Sequence, residues 1–186
     1  DSQDSVRLVS NCLKELDMDT KQYPPKRIHS QISMWKNKLI LPGEVIDEAS
    51  SFYETKIAEV YVKYEQKLIL ANSLDFDDLL IKTVELFNTD EDALLFWSKK
   101  FKYIMVDEYQ DTNFPQYKII ELLSREHKNI CVVGDSDQSI YAFRGADIRN
   151  IDEFDKDFSN AKTIVLDRNY RSTQKILDAA NSVISI

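Results

Sequence analysis

The sequence predicts an α/β protein in two parts: an all-α part over residues 1–88 and, over 89–186, a partial parallel sheet with flanking helices. Three observations carry this. Through the first 88 residues apolar side chains recur at spacings of three and four, the period of amphipathic helices. Beyond them, short unbroken apolar runs alternate with helical stretches, the pattern of a buried parallel sheet. The composition, 43% hydrophobic and 11% aromatic in 186 residues, supports an ordered core. At 21.7 kDa, a compact chain exposes roughly 9,000 Å².

The elements follow in order. Val6, Val9, Cys12, Leu13 and Leu16 form the stripe of a first helix, interrupted by Pro24-Pro25. Ile28, Ile32, Trp35 and Leu39 form a second, ended by Pro42-Gly43. A longer helix over about 46–70 carries Phe52, Ile57, Val60, Tyr61, Tyr64 and Leu68 on one face. After Asn72-Ser73 comes another, with Leu79, Leu80, Val84 and Phe87. Tyr103-Ile104-Met105-Val106 is the first strand, and a helix then begins at Pro115, whose fixed φ suits a first turn. Ile130-Cys131-Val132-Val133 and Thr163-Ile164-Val165-Leu166 are the next two strands, with a short helix marked by Ile148, Ile151 and Phe154 between them. Ser172 caps a last helix bearing Ile176, Leu177, Ala180 and Val183.

Composition excludes several classes. Only three glycines and four prolines rule out collagen-like or linker-dominated chains. No apolar run approaches the ~18 residues of a membrane span, so no membrane partner is expected. Cys12 and Cys131 are too few for a disulfide framework and predict a reducing, cytoplasmic setting. Cys131, inside an apolar run, reads as a core thiol. A net charge of −8 argues against bulk adhesion to nucleic acid, while a local groove stays open because contact depends on where Lys and Arg sit. His29 and His127 lack ligand spacing, and Lys99, Lys100 and Lys102 read as a solvated face.

Each strand runs into an acid: Asp107 after the first, Asp135 past the second, Asp167 after the third. In a parallel sheet these ends share the edge where open α/β sheets bind ligands. Asp107, Glu108, Asp135 and Asp137 are expected to crowd there, and crowded carboxylates call for a hard cation such as Mg²⁺. Any one of them, taken singly, reads more readily as a loop residue or helix cap; the set together favours a site. An apolar strand running into Asp-Glu is also the Walker B arrangement, in which the first acid holds metal and the second activates water. A metal-dependent nuclease using the same carboxylates and a non-catalytic DNA-binding module are the alternatives.

Three longer segments distinguish these readings. They are Val106-Asp107-Glu108-Tyr109-Gln110-Asp111-Thr112-Asn113, then Gly134-Asp135-Ser136-Asp137-Gln138-Ser139-Ile140-Tyr141-Ala142-Phe143-Arg144-Gly145-Ala146-Asp147, then Asn169-Tyr170-Arg171-Ser172-Thr173. In order and spacing they resemble successive motifs of superfamily 1 DNA helicases, within them the UvrD/Rep/PcrA group. Leu74-Asp75-Phe76-Asp77-Asp78-Leu79-Leu80 is similar to the segment by which those enzymes return from an inserted helical subdomain. The resemblance covers essentially the whole chain.

It implies that residues 1–88 are the inserted helical subdomain and 89–186 the central and C-terminal part of a first RecA-like motor domain. It implies ATP and Mg²⁺ as cofactors, single-stranded and duplex DNA as partners, and work in DNA repair or replication. Asp107 would hold Mg²⁺ on the β- and γ-phosphates, Glu108 would activate the hydrolytic water, and Gln138 would sense the γ-phosphate. Arg171 would stabilise charge on the transferring phosphoryl group, and Tyr170 would stack on adenine. Tyr141 and Phe143 would stack on DNA bases, with Arg144 beside them. Phe143 stands where many relatives carry Trp, a larger stacking surface. The nuclease alternative leaves Gln138 and Asn169-Tyr170-Arg171 without a role.

The phosphate-cradling G-x-x-x-x-G-K-[ST] loop does not occur: none of Gly43, Gly134 and Gly145 precedes Lys-Ser or Lys-Thr. The expectation is therefore a piece of a larger helicase, inactive alone, whose partners include the rest of the same polypeptide. An open sheet edge predicts self-association.

Overall fold

The computed structural model describes residues 1–142, 145–147, 151 and 154–184. Its first layer is helical. α1 (Ser2–Glu15) starts at Asp1, whose carboxylate accepts the Gln3 and Asp4 N–H groups at 2.8 and 2.9 Å. α2 (Pro25–Lys36) opens on a proline at its first turn. Where one helix is expected over 46–70 there are two, α3 (Pro42–Glu48) and α4 (Phe52–Leu70). The break has a local cause: Ser51 is extended and its Oγ accepts the Glu54 N–H at 3.2 Å, capping a new helix. Pro42, expected as a stop, instead opens α3. α2 itself ends at Lys36, and Leu39 turns the chain with φ 57°.

These helices bury one apolar cluster, including Val9, Cys12, Leu13, Ile28, Ile32, Val60 and Tyr64. Tyr23 stacks on Tyr53 at 5.3 Å between ring centroids, and Trp35 on Tyr61 at 5.8 Å. Phe52, counted on the buried face of α4 by its spacing, is exposed. Burial pushes the Cys12 thiol up to about 11, so it is an inert packing group.

An ionic cluster closes the bottom of this core. Lys36, whose side chain is 1% exposed, places Nζ 2.8 Å from Asp75 Oδ2, 2.7 Å from Asp78 Oδ1 and 2.7 Å from Glu65 Oε1. The Glu65 contact is off hydrogen-bond alignment, so that oxygen has charge contact but no donor aimed at it. Tyr64 Oη donates to Asp75 Oδ2 at 2.9 Å. Burial works against the Lys36 charge, but Asp75 and Glu65 outweigh it and hold the ammonium protonated well above its ordinary range. One cation cannot compensate three carboxylates equally. Burial raises Glu65, whereas Asp75, though also penalised by burial, is held below its ordinary value by Lys36.

A pH dependence follows. Glu65 folds with its proton affinity raised, so its contribution is full below the ordinary value of 4.5 and declines as pH climbs through the raised value. Asp75 is lowered, so its contribution holds above 3.8 and is lost as pH falls through the folded value. Thermal melts are expected to show Glu65→Gln removing the decline above pH 4.5 while leaving the acid-side loss. An unchanged melting profile would contradict the assignment.

The second layer starts with α5 (Phe76–Thr89), whose cap is reciprocal: Asp75 Oδ1 accepts the Asp78 N–H and Asp78 Oδ2 the Asp75 N–H. Asp90 then ends α5 and caps α6 (Glu91–Lys100), a helix the sequence reading does not include. α7 (Phe114–Ser124) is capped by Asn113, with Pro115 in its first turn as expected. Val84, Phe87 and Leu122 form a second apolar cluster with Leu39, Leu94, Trp97 and Ile119 around it. Ser98 Oγ donates to Leu123 O at 2.8 Å and ties α6 to α7.

β1 (Ile104–Val106) and β2 (Ile130–Val132) pair in parallel, Ile104 opposite Ile130 and Val106 opposite Val132. Ile104, Val106, Ile130 and Val132 are half-buried, while Met105 and Cys131 are exposed on the opposite face. Cys131 is therefore not the core thiol its apolar neighbours suggest. The expected third strand is not formed: 163–166 has no ladder partner among the described residues, and Ile164, Val165 and Leu166 are exposed. An apolar run becomes a strand only beside a neighbour that takes its hydrogen bonds. α8 (Phe154–Asp157) and α9 (Gln174–Ile184) complete the elements, Thr173 and not Ser172 standing directly before α9. Ile148 lies outside the described residues. Exposed surface totals 13106 Å², well above the roughly 9,000 Å² of a compact chain. Much of the excess is apolar: Met105, Val165, Leu166 and Val183 all face outward. Among the described residues no helix is long and apolar enough to cross a membrane.

Candidate functional site

The C-terminal end of the sheet is built by hydrogen bonds that run on past the strands. Val133 N–H donates to Val106 O at 2.8 Å and Tyr109 N–H to Val133 O at 3.0 Å. Between these two points lie Asp107 and Glu108, both exposed. Asp107 Oδ1 accepts the Glu108 N–H at 2.9 Å. Glu108 has φ 50° and ψ 43°, a left-handed conformation costing an L residue roughly 1–2 kcal/mol. This turn leads into a 3₁₀ turn, Tyr109–Asp111, and sets the carboxylate against Gln110, whose Nε2 donates to Glu108 Oε2 at 2.8 Å.

Gln110 is 1% exposed, and its other end is also engaged: Oε1 accepts the Asp135 N–H at 3.1 Å. Asp135 follows β2 and caps a second 3₁₀ turn, Ser136–Gln138. Its Oδ1 accepts the Asp137 N–H at 3.0 Å, and its Oδ2 accepts Gln138 Nε2 at 2.6 Å. Glu108, Gln110, Asp135 and Gln138 are thus joined in sequence by hydrogen bonds. Tyr109 is fully buried beneath them, edge-on to Phe154 at 5.7 Å, and burial with Asp157 pushes its phenol up to about 12.

The expected crowding of Asp107, Glu108, Asp135 and Asp137 does not occur. Among the described residues no three His, Cys, Asp or Glu side chains converge as a metal cage. Asp135 spends both oxygens inside its own turn, and Glu108 is held by Gln110. Asp107, exposed at the end of β1, has one carboxylate oxygen on the Glu108 N–H and offers the other as a hard-oxygen donor. That still fits Mg²⁺, which keeps several waters and takes one or two carboxylates together with phosphate oxygens. It does not favour a nuclease reading that needs several clustered carboxylates.

Tyr141 is half-buried beyond Gln138. Phe143 and Arg144 lie outside the described residues. Tyr170 and Arg171 sit in an exposed turn held by Asn169 Oδ1, which accepts the Arg171 and Ser172 N–H groups at 2.8 and 2.9 Å. The Arg168 guanidinium lies 5.0 Å over the Tyr170 ring, taking one of its faces. No hydrogen bond or ion pair among the described residues joins this turn to Glu108 or Gln138.

A second junction forms where the two long motifs end. Asp147 N–H donates to Thr112 O at 3.1 Å, and Asn113 bridges Ala146. Asn113 Nδ2 donates to Asn37 Oδ1 at 2.8 Å, while Asn37 Nδ2 donates to Ser33 O at 2.8 Å and Asp77 Oδ1 at 3.1 Å. The end of α2 is thereby tied to the site's outgoing chain.

In the sequence reading Gln110 has no role of its own within its motif, and Asn37 is not included. A signal for Gln110 exists in Gly134, at the end of β2. A Cβ there would stand 2.7 Å from Gln110 Oε1 and 2.8 Å from Ile151 Cδ1. Gly134→Ala is expected to destabilise the fold by about 1–3 kcal/mol, because Gln110 cannot move without losing the Asp135 N–H. A melting temperature equal to that of the unsubstituted protein would refute this.

A family model described as the UvrD/REP helicase N-terminal domain matches residues 1–159. The chain is 48% identical over 184 residues to an ATP-dependent DNA helicase PcrA of Bacillus subtilis, covering 99% of this chain and 25% of that protein. It is 47% identical over 178 residues to the same-named protein of Leuconostoc citreum, covering 96% and 24%. For the Staphylococcus aureus protein (strain NCTC 8325) the figures are 46% over 184 residues, 99% and 25%. The chain spans about a quarter of the length of the curated relatives it matches.

Proposed function

The chain belongs to the UvrD/REP helicase family, and from that premise we propose that it is part of an ATP-dependent DNA helicase that couples ATP hydrolysis to movement on single-stranded DNA and duplex unwinding. Residues 1–88 form its inserted helical subdomain and 89–186 part of its first RecA-like motor domain. The relatives' printed name, ATP-dependent DNA helicase, supports the nucleotide and DNA parts of this reading. The observation that carries it is the hydrogen-bonded run from Glu108 through Gln110 and Asp135 to Gln138. A water-activating carboxylate and a neutral amide suited to a phosphate oxygen are held at one sheet end.

Asp107 would hold Mg²⁺, which would supply charge neutralisation to the phosphates of ATP. Glu108 accepts the proton of the attacking water. Gln138, whose Nε2 donates to Asp135 Oδ2 at 2.6 Å, is the γ-phosphate sensor in this reading. Arg171 stabilises the transferring phosphoryl charge, and Tyr170 offers adenine the ring face that Arg168 leaves free. Tyr141, Phe143 and Arg144 contact single-stranded DNA. The setting is cytoplasmic, in DNA repair or replication.

The test is ATP turnover by the complete gene product with and without single-stranded DNA, alongside strand displacement. Stimulation by DNA is expected, and its absence would refute the motor. The 186 residues alone are expected to show no turnover, since no phosphate loop occurs in them. They are also expected to self-associate through Met105, Val165 and Leu166, which the rest of the same polypeptide covers in this reading. Light scattering that reports a monomer at micromolar concentration would contradict that.

A further inference from the structure

We propose that Gln110 is the positioning residue of the hydrolytic site, fixing the Glu108 carboxylate relative to the turn that carries Gln138. This rests on the ATP-hydrolysing reading above and adds a residue to it. The geometry is two-ended. Gln110 is almost fully buried; Nε2 holds Glu108 Oε2 at 2.8 Å, and Oε1 takes the Asp135 N–H at 3.1 Å. A side-chain amide donates at one end and accepts at the other, which neither a carboxylate nor an ammonium can do. Glu108 occupies a left-handed backbone conformation at an exposed strand end, so its own rotamers do not fix it. A buried partner removes that freedom.

The second end matters as much. Gln110 Oε1 anchors the first residue of the turn in which Asp135 caps Ser136–Gln138. Its backbone also meets the following residue, with Ser139 Oγ 3.5 Å from Gln110 O. Gly134 lets this approach happen, since a Cβ there would collide with Oε1 at 2.7 Å. Gln110 therefore gives the water-activating group and the phosphate-sensing turn a common reference. It touches neither water nor phosphate in this role and acts through Glu108.

The prediction is a loss in turnover without a loss in nucleotide binding. In the complete gene product, Gln110→Met keeps length and volume but removes both hydrogen bonds. Gln110→Glu keeps the acceptor for the Asp135 N–H and removes the donor to Glu108. Each is expected to lower DNA-stimulated kcat about 10–100-fold, with the KM for ATP held within about threefold. A merely structural role would move KM and melting temperature together with kcat. The decisive comparison is a double-substitution cycle read by single-turnover ATP hydrolysis. If Gln110 acts through Glu108, Gln110→Glu costs little further in a Glu108→Gln background. An equal fractional loss in both backgrounds, or unchanged kcat in the single variants, overturns the proposal. Should Gln110→Met fail to fold, Gln110→Glu and the cycle built on it still decide. Absence of DNA-stimulated hydrolysis in the unsubstituted protein is a different result: it removes the motor reading itself.

Discussion

Glu108→Gln in the complete gene product is expected to lower DNA-stimulated ATP hydrolysis by about 10²–10⁴-fold while ATP binding is retained. The substitution preserves shape. An amide oxygen can still accept from Gln110 Nε2, so the local hydrogen bond at 2.8 Å survives. The capacity to take a proton does not, because an amide is not a base near neutral pH. Asp107, the proposed metal ligand, is untouched, as is Gln138. Steady-state turnover and fluorescence titration with a non-hydrolysable ATP analogue separate the two effects. Turnover indifferent to the substitution would remove Glu108 from the mechanism, and loss of nucleotide binding would make it a binding residue instead.

The second large effect is on stability. Lys36→Met is expected to destabilise the region around α2, α4 and α5 by about 3–5 kcal/mol, the usual consequence of removing one partner from a buried ionic cluster. Methionine fills the space, but Asp75, Asp78 and Glu65 then face one another without a cation. Hydrogen exchange at the α2 and α5 amides is the suitable readout, since it reports local opening, and a rise of about 10²–10⁴-fold is expected. Adding Glu65→Gln should recover part of the loss by removing the carboxylate that burial already disfavours. Protection unchanged from the parent would show that the carboxylates find other partners. In the parent, the Lys36 contribution is full below pH 10.5 and lost only as pH climbs through the raised folded value.

Helix positions were legible because side-chain period reports burial directly. Val9, Cys12 and Leu13, then Ile28 and Ile32, then Val60, Tyr61 and Tyr64 are buried as their spacing requires. Lys36 was also visible in principle: it follows Ile28 and Ile32 at intervals of four, so it shares their buried face. Its charge hid it. Helix ends were less legible, since Ser51 and Asp90 act by capping and not by periodicity. The run 163–166 has strand composition, yet pairing depends on a neighbour that composition does not supply. At the site, the acids and Gln138 were legible by type and order. Gln110 was not, because nothing in a polar run says which side chain turns inward.

The two apolar clusters are joined by contacts of two different mechanical kinds. The Lys36 cluster is buried, and its ions cannot separate without facing one another or water at high cost. Asn37, the next residue, holds Asp77 and Asn113 through half-exposed amide bonds that water can replace at little cost. Under load on the helical layer the Asn37 bonds are therefore expected to part before the Lys36 cluster does. Asn113 also caps α7 and bridges Ala146, so these weaker bonds lie at the end of the segment that starts with Asp107 and Glu108. Two adjacent residues, Lys36 and Asn37, thus make a strong joint and a weak one.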